Sequence, residues 1–427
     1  FNKIYHTPNM ERLANEGLAF TNAYSTPVCT PSRVSLMTGM NVTQHHVTNW
    51  TAPMQDKPTG RNDEQMEEPI WNHNGLSPVE DIPSTSYAKP LAQVLKDNGY
   101  FTIHVGKAHW ASAGTPGSNP NSLGFIVNIA GTSTGRPGDY LGTANFGRTT
   151  ADYHGVENLQ AYFNQDIYLT EALTKEALKT LDYPIQQKIP FFLNIGHYAV
   201  HDPLIEDNRY YQKYLAMGLP SNEAKYASML EGMDKSLGDI LDYLEAHHIK
   251  DNTYIIFISD NGGLSLTPTR AGIAHTHNKP LRSGKGSIYE GGIRVPLLIK
   301  GVKKDEKKAR IATPVIIEDL FPTILEMADI KTYDIPQRVD GYSQKIWLKN
   351  KNFQAKERAL VFHIPNKWNE FDGDGFNYRS AIRRGDYKLI YNWRDNSYEL
   401  YDLKKDIGET QNLLLTDQYS TIESALK

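Results

Sequence analysis

The 427-residue chain reads as an α/β protein built on a mostly parallel central sheet, with helices on both faces. Three observations predict this. Apolar segments run straight into loops rich in Gly, His or Asp, amphipathic stretches precede those segments, and short strand-like pieces replace the alternation from about residue 355. Leu91, Val94 and Leu95 share a helical face that stops at Gly99, and the strand Phe101–Val105 then opens onto Gly106-Lys107-Ala108-His109. Leu169, Leu173, Ala177 and Leu181 mark another helix, with Glu171 and Lys175 paired one turn apart. It precedes the strand Phe191–Ile195, which leads to Gly196-His197-Tyr198-Ala199-Val200-His201. Tyr226, Met229, Leu230, Met233, Leu237, Ile240, Leu241 and Leu244 recur with helical spacing before the strand Thr253–Ile258 and the loop Ser259-Asp260-Asn261-Gly262-Gly263. In open parallel sheets ligands gather beyond the carboxyl ends of the strands, where all three polar loops fall.

Residues 50–86 and 110–160 are too long and too rich in Pro, Gly, Ser, Thr and Asn for plain connections, so they read as loops over a site. The basic run Lys300–Arg310 reads as a solvated connection. Beyond it, Arg358–His363, Ser380–Arg383, Tyr387–Tyr391 and Tyr398–Tyr401 suit a small antiparallel sheet with a terminal helix. The expected division is a catalytic domain over 1–350 and a C-terminal α+β subdomain over 351–427.

The net charge of −4 argues against a nucleic-acid-binding protein, so any positive potential for an anionic substrate has to be local. No apolar run reaches the length of a membrane span. The chain begins Phe1-Asn2-Lys3, and export cannot be read from it. One cysteine in the whole chain makes an intramolecular disulfide impossible, which fits the cytoplasm and the periplasm equally.

That cysteine stands in Cys29-Thr30-Pro31-Ser32-Arg33, with Thr38 and Gly39 following. Thr30 suits an N-cap and Pro31 the first helical position, which places Cys29 at the mouth of a short helix where backbone N–H groups attract anions. Arg33, a turn further in, adds a forked donor for a tetrahedral oxyanion. The string Cys-x-Pro-Ser-Arg followed by Thr-Gly resembles the signature of the type I sulfatases, in the alkaline phosphatase superfamily, where the cysteine is oxidised to formylglycine.

The resemblance extends through further segments in order. Gly106-Lys107-x-His109 is similar to the element whose lysine holds sulfate and whose histidine assists aldehyde regeneration. Val200-His201-Asp202-Pro203 is similar to the element whose histidine contacts sulfate and protonates the leaving oxygen. Ser259-Asp260-Asn261-Gly262 resembles the metal-binding loop, whose oxygens suit Ca²⁺ or Mg²⁺, and the group at position 29 is implied as a further ligand. Gly284-Lys285-Gly286, with Tyr289–Pro296, resembles the second sulfate-binding lysine segment. Matches from Thr7-Pro8-Asn9 to Glu399–Leu403 cover nearly the whole chain.

The resemblance therefore implies an alkaline-phosphatase-like α/β/α sandwich, a formylglycine nucleophile at position 29, a maturation enzyme that generates it, and a periplasmic or secreted location. One departure stands out. The family carries two metal-binding aspartates on a first strand, and no Asp-Asp pair precedes Cys29. Asp260 and Asn261 alone make a poor calcium site, so that strand is expected to belong to the gene product outside these 427 residues; its loss would expose flanking strands and apolar helix faces.

Other residues stay open. His45 beside His46 either lines the pocket or belongs to an ordinary polar loop, and His197 is either a substrate group or structural. His277, in His275-Thr276-His277, lacks a third soft ligand and reads as a loop or substrate contact. Arg282 is a candidate substrate contact, and His363, Trp368 and Arg379 are candidates for the edge of a sugar subsite. Asn41 and Asn49 fall in chance-frequency glycosylation sequons. With 25 Tyr and 6 Trp and long polar loops, the expected substrate is a sulfated carbohydrate, and the chain resembles bacterial polysaccharide-degrading sulfatases, which implies sugars of galactose type. The alternatives are a phosphodiester or phosphonate hydrolase of the same superfamily and a non-catalytic glycan-binding protein.

Overall fold

The computed structural model describes residues 3–426 except 53, 68, 70, 149–153, 266–277, 304–307, 371 and 416–425. The chain opens with α1 (Pro8–Glu16), β1 (Leu18–Tyr24), α2 (Cys29–Thr38) and α3 (Val42–His45). β2 (Gly75–Ser77), β3 (Thr85–Tyr87), α4 (Leu91–Asp97), β4 (Phe101–Gly106) and β5 (Val127–Ile129) follow. Next come α5 (Leu169–Gln187), β6 (Phe191–Gly196), α6 (Tyr211–Ala216), α7 (Ser221–Ala246) and β7 (Ile255–Ile258). The third stretch holds α8 (Glu290–Ile293), β8 (Arg294–Lys300), β9 (Ala309–Ile311), β10 (Val315–Ile316), α9 (Leu320–Met327) and α10 (Ile346–Lys349). Four strands complete it: β11 (Ala359–Ile364), β12 (Arg379–Arg384), β13 (Tyr387–Asn392) and β14 (Ser397–Asp402).

The predicted elements form where the periodicity placed them. α4 buries Leu91, Val94 and Leu95, and α5 buries Leu169, Leu173, Ala177 and Leu181. The two long loops carry the short strands β2, β3 and β5, which sequence patterning did not resolve because three residues give no period to read. The proposed terminal helix, like Lys304 and Lys307 of the basic run, falls outside the described residues.

The central strands form two sheets. β5, β4 and β6 are all parallel; in the other, β10, β1, β8 and β7 lie in that order with β9 also on β1. β8 runs antiparallel to both β1 and β7, while β9 and β10 are parallel to β1. Among the described strands β6 pairs only with β4 and β7 only with β8, so each has an open edge. Both line a cavity of about 1500 Å³, walled by Leu230, Met233, Leu237 and Ile240 of α7 and by Leu36, Ile324 and Met327 across it. Every residue of the apolar β6 is only half-buried as a result.

The four C-terminal strands make an antiparallel sheet in sequence order. Its Leu360, Phe362, Ala381, Ile390 and Tyr401 pack on Tyr24, Ile288, Tyr289, Ile293 and Ile316, so it docks against the segment that leads into β8.

His45 and His104 are both fully buried, and burial, the largest cause, pushes each down to about 3. The unfolded chain takes up these protons near 6.5, the ordinary histidine value, whereas the folded chain resists until about 3. Their contribution is whole above pH 6.5 and erodes below it, by about 1.4 kcal/mol per pH unit for each. The urea midpoint is expected to fall from pH 7 to pH 4.5, and His104→Gln is expected to make that decline shallower.

Candidate active site

α2 begins at Cys29 itself, one residue before the start expected from a Thr30 cap. The Thr30 hydroxyl is taken by the Thr51 N–H at 3.2 Å, and the entering turn is held by Ser32, whose Oγ accepts from Thr26 N at 2.9 Å. Val28 therefore sits at the extended N-cap position, and the helix ends at Gly39, left-handed with φ 73°.

Cys29 is buried, with Sγ 3.5 Å from His109 Nδ1. His109 Nε2 lies 3.1 Å from the Thr51 carbonyl oxygen, which can only accept. Nε2 therefore carries the proton, and the Nδ1 lone pair faces position 29. Lys107 follows β4, where Gly106 has φ +96° and a Cβ would fall 2.2 Å from the Gly196 oxygen, so only glycine lets β4 and β6 approach this closely. Lys285 is pinned from both sides: its N–H donates to Gly263 O at 2.9 Å, and the Gly286 N–H to Pro27 O at 2.8 Å. Gly286, at φ +91°, has the Trp368 ring where a side chain would be.

Asp260, from the loop after β7, ties these pieces together. Its Oδ2 accepts from Arg33 Nε at 2.8 Å and lies 3.9 Å from Lys107 Nζ, while Arg33 Nη1 donates to the Lys107 carbonyl at 2.7 Å. Burial raises the Asp260 carboxyl, but Arg33, Lys107 and Lys285 outweigh it and hold the group well below the usual range. The Cys29 thiol behaves alike. Burial raises it, and Lys107, Lys285 and His109 together bring it well below the ordinary thiol value. His201 Nδ1 lies 3.1 Å from the Asp202 carbonyl. Burial and then Lys285 push its ring down to about 4, against the pull of Asp202.

The structure thus gathers Cys29, Arg33, Lys107, His109, His201, Asp260 and Lys285 around one charged pocket. Asn261 belongs there too: its Oδ1 is buried without a hydrogen-bond partner. That orphaned oxygen and the Asp260 carboxylate are hard donors that fit part of a Ca²⁺ or Mg²⁺ shell, and both line the cavity between β6 and β7. No cluster of three or more His, Cys, Asp or Glu ligands occurs among the described residues, so a six- to eight-oxygen shell needs donors from outside them.

Of the remaining described candidates, His197 lines the same cavity as these groups and the others lie elsewhere. His45 is fully buried, with Ser35 Oγ at 3.0 Å from Nε2 and the Val47 N–H donating to Nδ1 at 3.0 Å. Both nitrogens are engaged, which corrects the pocket-lining expectation: this histidine braces α2 against the next loop. His197 lines the large cavity, with Nε2 at 3.0 Å from Ser236 Oγ. Arg282 stacks on Tyr289 at 3.9 Å and bonds Asp374 at 3.1 Å, which makes it a strut for the loop rather than a pocket residue. His363 sits in β11 with its ring against Trp71 and Nδ1 at 2.6 Å from Ser380 Oγ. His277 lies outside the described residues.

Sequence reasoning missed what supports the site. Glu290, five residues after Lys285, is fully buried with Lys388 and Glu409; Lys388 Nζ lies 3.1 Å from Glu290 Oε1 and 2.7 Å from Glu409 Oε1. Glu409 Oε2 also accepts the Glu290 N–H at 2.7 Å, and Tyr24 OH donates to Glu290 Oε2 at 2.7 Å. Charged residues this far apart in sequence carry no local signal of pairing. Thr51, which fixes the His109 tautomer through its carbonyl, carries none either.

A buried thiol, two lysines and two imidazoles thus stand about a held carboxylate on an α/β fold. The family described as Sulfatase matches residues 2–330, and the one described as N-sulphoglucosamine sulphohydrolase, C-terminal, matches residues 284–427. The chain belongs to the sulfatase family. A sulfatase of Formosa agariphila is 28% identical over 100% of this chain and 82% of its own length. The N-acetylgalactosamine-6-sulfatase of Homo sapiens is 28% identical over 78% of this chain and 59% of its own. The structure of Ps i-CgsB in complex with k-i-k-neocarrahexaose superposes with a TM-score of 0.71 at 26% identity, covering 99% of this chain and 88% of that one. A phosphonate monoester hydrolase from Silicibacter pomeroyi, at 17% identity and a TM-score of 0.66 over 99% of this chain and 89% of its own, shares the fold alone.

Lys388→Met leaves Glu409 buried without its cation and Glu290, among the described residues, with only Arg294, 3.4 Å away. It is expected to lower the unfolding free energy by about 3–5 kcal/mol, read from urea titration; a loss below about 1 kcal/mol, the level of a surface pair, would contradict the clamp.

Proposed function

We propose that this sulfatase removes sulfate from a sulfated carbohydrate of galactose type, using formylglycine made from Cys29 by a separate maturation enzyme. The observation that carries the reading is the setting of position 29: a buried helix start, faced by the His109 lone pair and lying in the field of Lys107 and Lys285. The N-acetylgalactosamine-6-sulfatase relative and the neighbour solved with k-i-k-neocarrahexaose support the substrate class. A hydrated formylglycine supplies one hydroxyl to bond sulfur and a second whose proton can leave to restore the aldehyde.

The chain's own residues do the rest. Lys107 and Lys285 aim positive charge at the sulfuryl oxygens, and Arg33, locked by Asp260, adds a fixed donor beside them. His109 Nδ1 takes the proton from the second hydroxyl. His201 is the group that protonates the leaving alcohol. It is neutral in the ligand-free site at neutral pH, so sulfate must first draw a proton onto it. Asp260 and Asn261 would hold a Ca²⁺ or Mg²⁺ ion that neutralises further sulfate charge, and the remaining oxygens would come from a strand seated between β6 and β7.

The direct test co-produces the chain with a formylglycine-generating enzyme, weighs the peptide spanning Cys29, and assays sulfated galactan oligosaccharides beside a phosphodiester. Sulfate release that tracks the extent of conversion is expected; a faster phosphodiester reaction would overturn the assignment. Lys107→Ala and Lys285→Ala are each expected to cost about 10²–10³ in kcat, and an unchanged kcat removes that lysine from the reaction. Added sulfate is expected to raise the His201 pKa from about 4, followed by NMR of the imidazole nitrogens. An unmoved value would place His201 away from the anion.

A further inference from the structure

Residues 130–140 form a strap between the loop after β4 and the loop after β6, and the strap is tied to both. Tyr198 OH donates to Ala130 O at 2.9 Å, the His109 N–H to Thr132 O at 3.0 Å, and Tyr140 OH to His201 O at 2.9 Å. Tyr140 and Tyr198 are themselves buried. The strap is thus fixed against the two segments that carry His109 and His201.

Its middle rests on the His109 ring. A Cβ on Gly135 would fall 2.4 Å from His109 Cε1, so only glycine lets the backbone come this close to the imidazole. The next residue, Arg136, is the one exposed position between 130 and 140. Its Nη1 reaches Asp202 Oδ2 at 3.5 Å, and Asp202 Oδ1 lies 3.0 Å from His201 Nδ1. The guanidinium therefore stands one carboxylate away from His201, on a backbone that touches His109.

The strap is held by its buried tyrosines and backbone bonds, and the Arg136 charge adds little to that. The Arg136 and Asp202 side chains are 46% and 31% exposed, and an ion pair this long and this open contributes little to stability. An incoming anion can displace it cheaply. An exposed guanidinium also offers a fork of donors that fits two oxygens of one sulfate. Its place decides which part of the substrate it meets. Lys107, Lys285 and Arg33 serve the sulfuryl group at position 29, whereas His201 meets the leaving oxygen. A cation beside His201 faces the sugar that leaves.

We propose that Arg136 binds a second sulfate, carried on the leaving sugar or on the unit next to it, so that the enzyme favours doubly sulfated galactans over singly sulfated ones. The proposal rests on the reading of the substrate as a sulfated galactan, in which the recurring anion is sulfate. It makes Arg136 a specificity residue, with the strap as the device that holds it at the mouth.

The test is calorimetry on the chain with Cys29 unconverted, where no turnover intervenes. It compares κ-neocarratetraose, with one sulfate per disaccharide, and ι-neocarratetraose, with two. The doubly sulfated ligand is expected to bind about tenfold more tightly, the gain from one charge-assisted contact. Arg136→Gln, which keeps a polar side chain at this exposed position, is expected to remove that gap, and Arg136→Lys to keep part of it. An arginine that merely positions Asp202 would change both affinities alike and leave their ratio untouched. Equal binding of the two by the unaltered chain, binding of neither, or a gap that survives Arg136→Gln overturns the proposal. Failure of the galactan reading shows separately, as a matured protein that releases no sulfate from either tetrasaccharide whatever their affinities.

Discussion

The Asp260 carboxylate is the constraint on which the site depends. Arg33 comes from α2, Lys107 from the end of β4 and Asp260 from the end of β7, and β4 and β7 belong to different sheets. One carboxylate thus joins two halves of the molecule that share no strand pairing among the described residues. Cations drawn this close would repel one another and resist burial unless an anion stood among them. By taking Arg33 and standing 3.9 Å from Lys107, Asp260 leaves the pocket positive overall yet assembled. Local positive potential in a chain of net charge −4 has this origin.

A second buried charge group supports the other side. Glu290, Lys388 and Glu409 bring the turn after Lys285 together with β13 and the segment beyond β14, while Gly286 receives the Trp368 ring. The C-terminal sheet is therefore part of the support for a pocket lysine. The match to a C-terminal sulfohydrolase family beginning at residue 284 follows the same physical unit, since it takes in Lys285 and Glu290 with the sheet that holds them.

Much of this was legible in the residues. Helical spacing in α4, α5 and α7 and apolar runs ending in polar loops placed β4, β6 and β7 within about two residues, because burial on regular elements imposes a period. Cys29, Lys107, His201, Asp260 and Lys285 announced themselves as chemical types in an order that resembles a family, and the fold brings them together. The cap of α2 was misplaced because Thr30 answers to Thr51, a partner 21 residues away. His45 looked like a pocket residue because its polarity says nothing about Ser35 and Val47 closing around it. The Glu290–Lys388–Glu409 group needed coordinates, since it depends on distant segments converging.

The facing edges of β6 and β7 are open among the described residues, with apolar helix faces around them. A segment seated in that groove would pair with both edges at once, and so would set how far apart the two sheets hold Lys107 and Asp260.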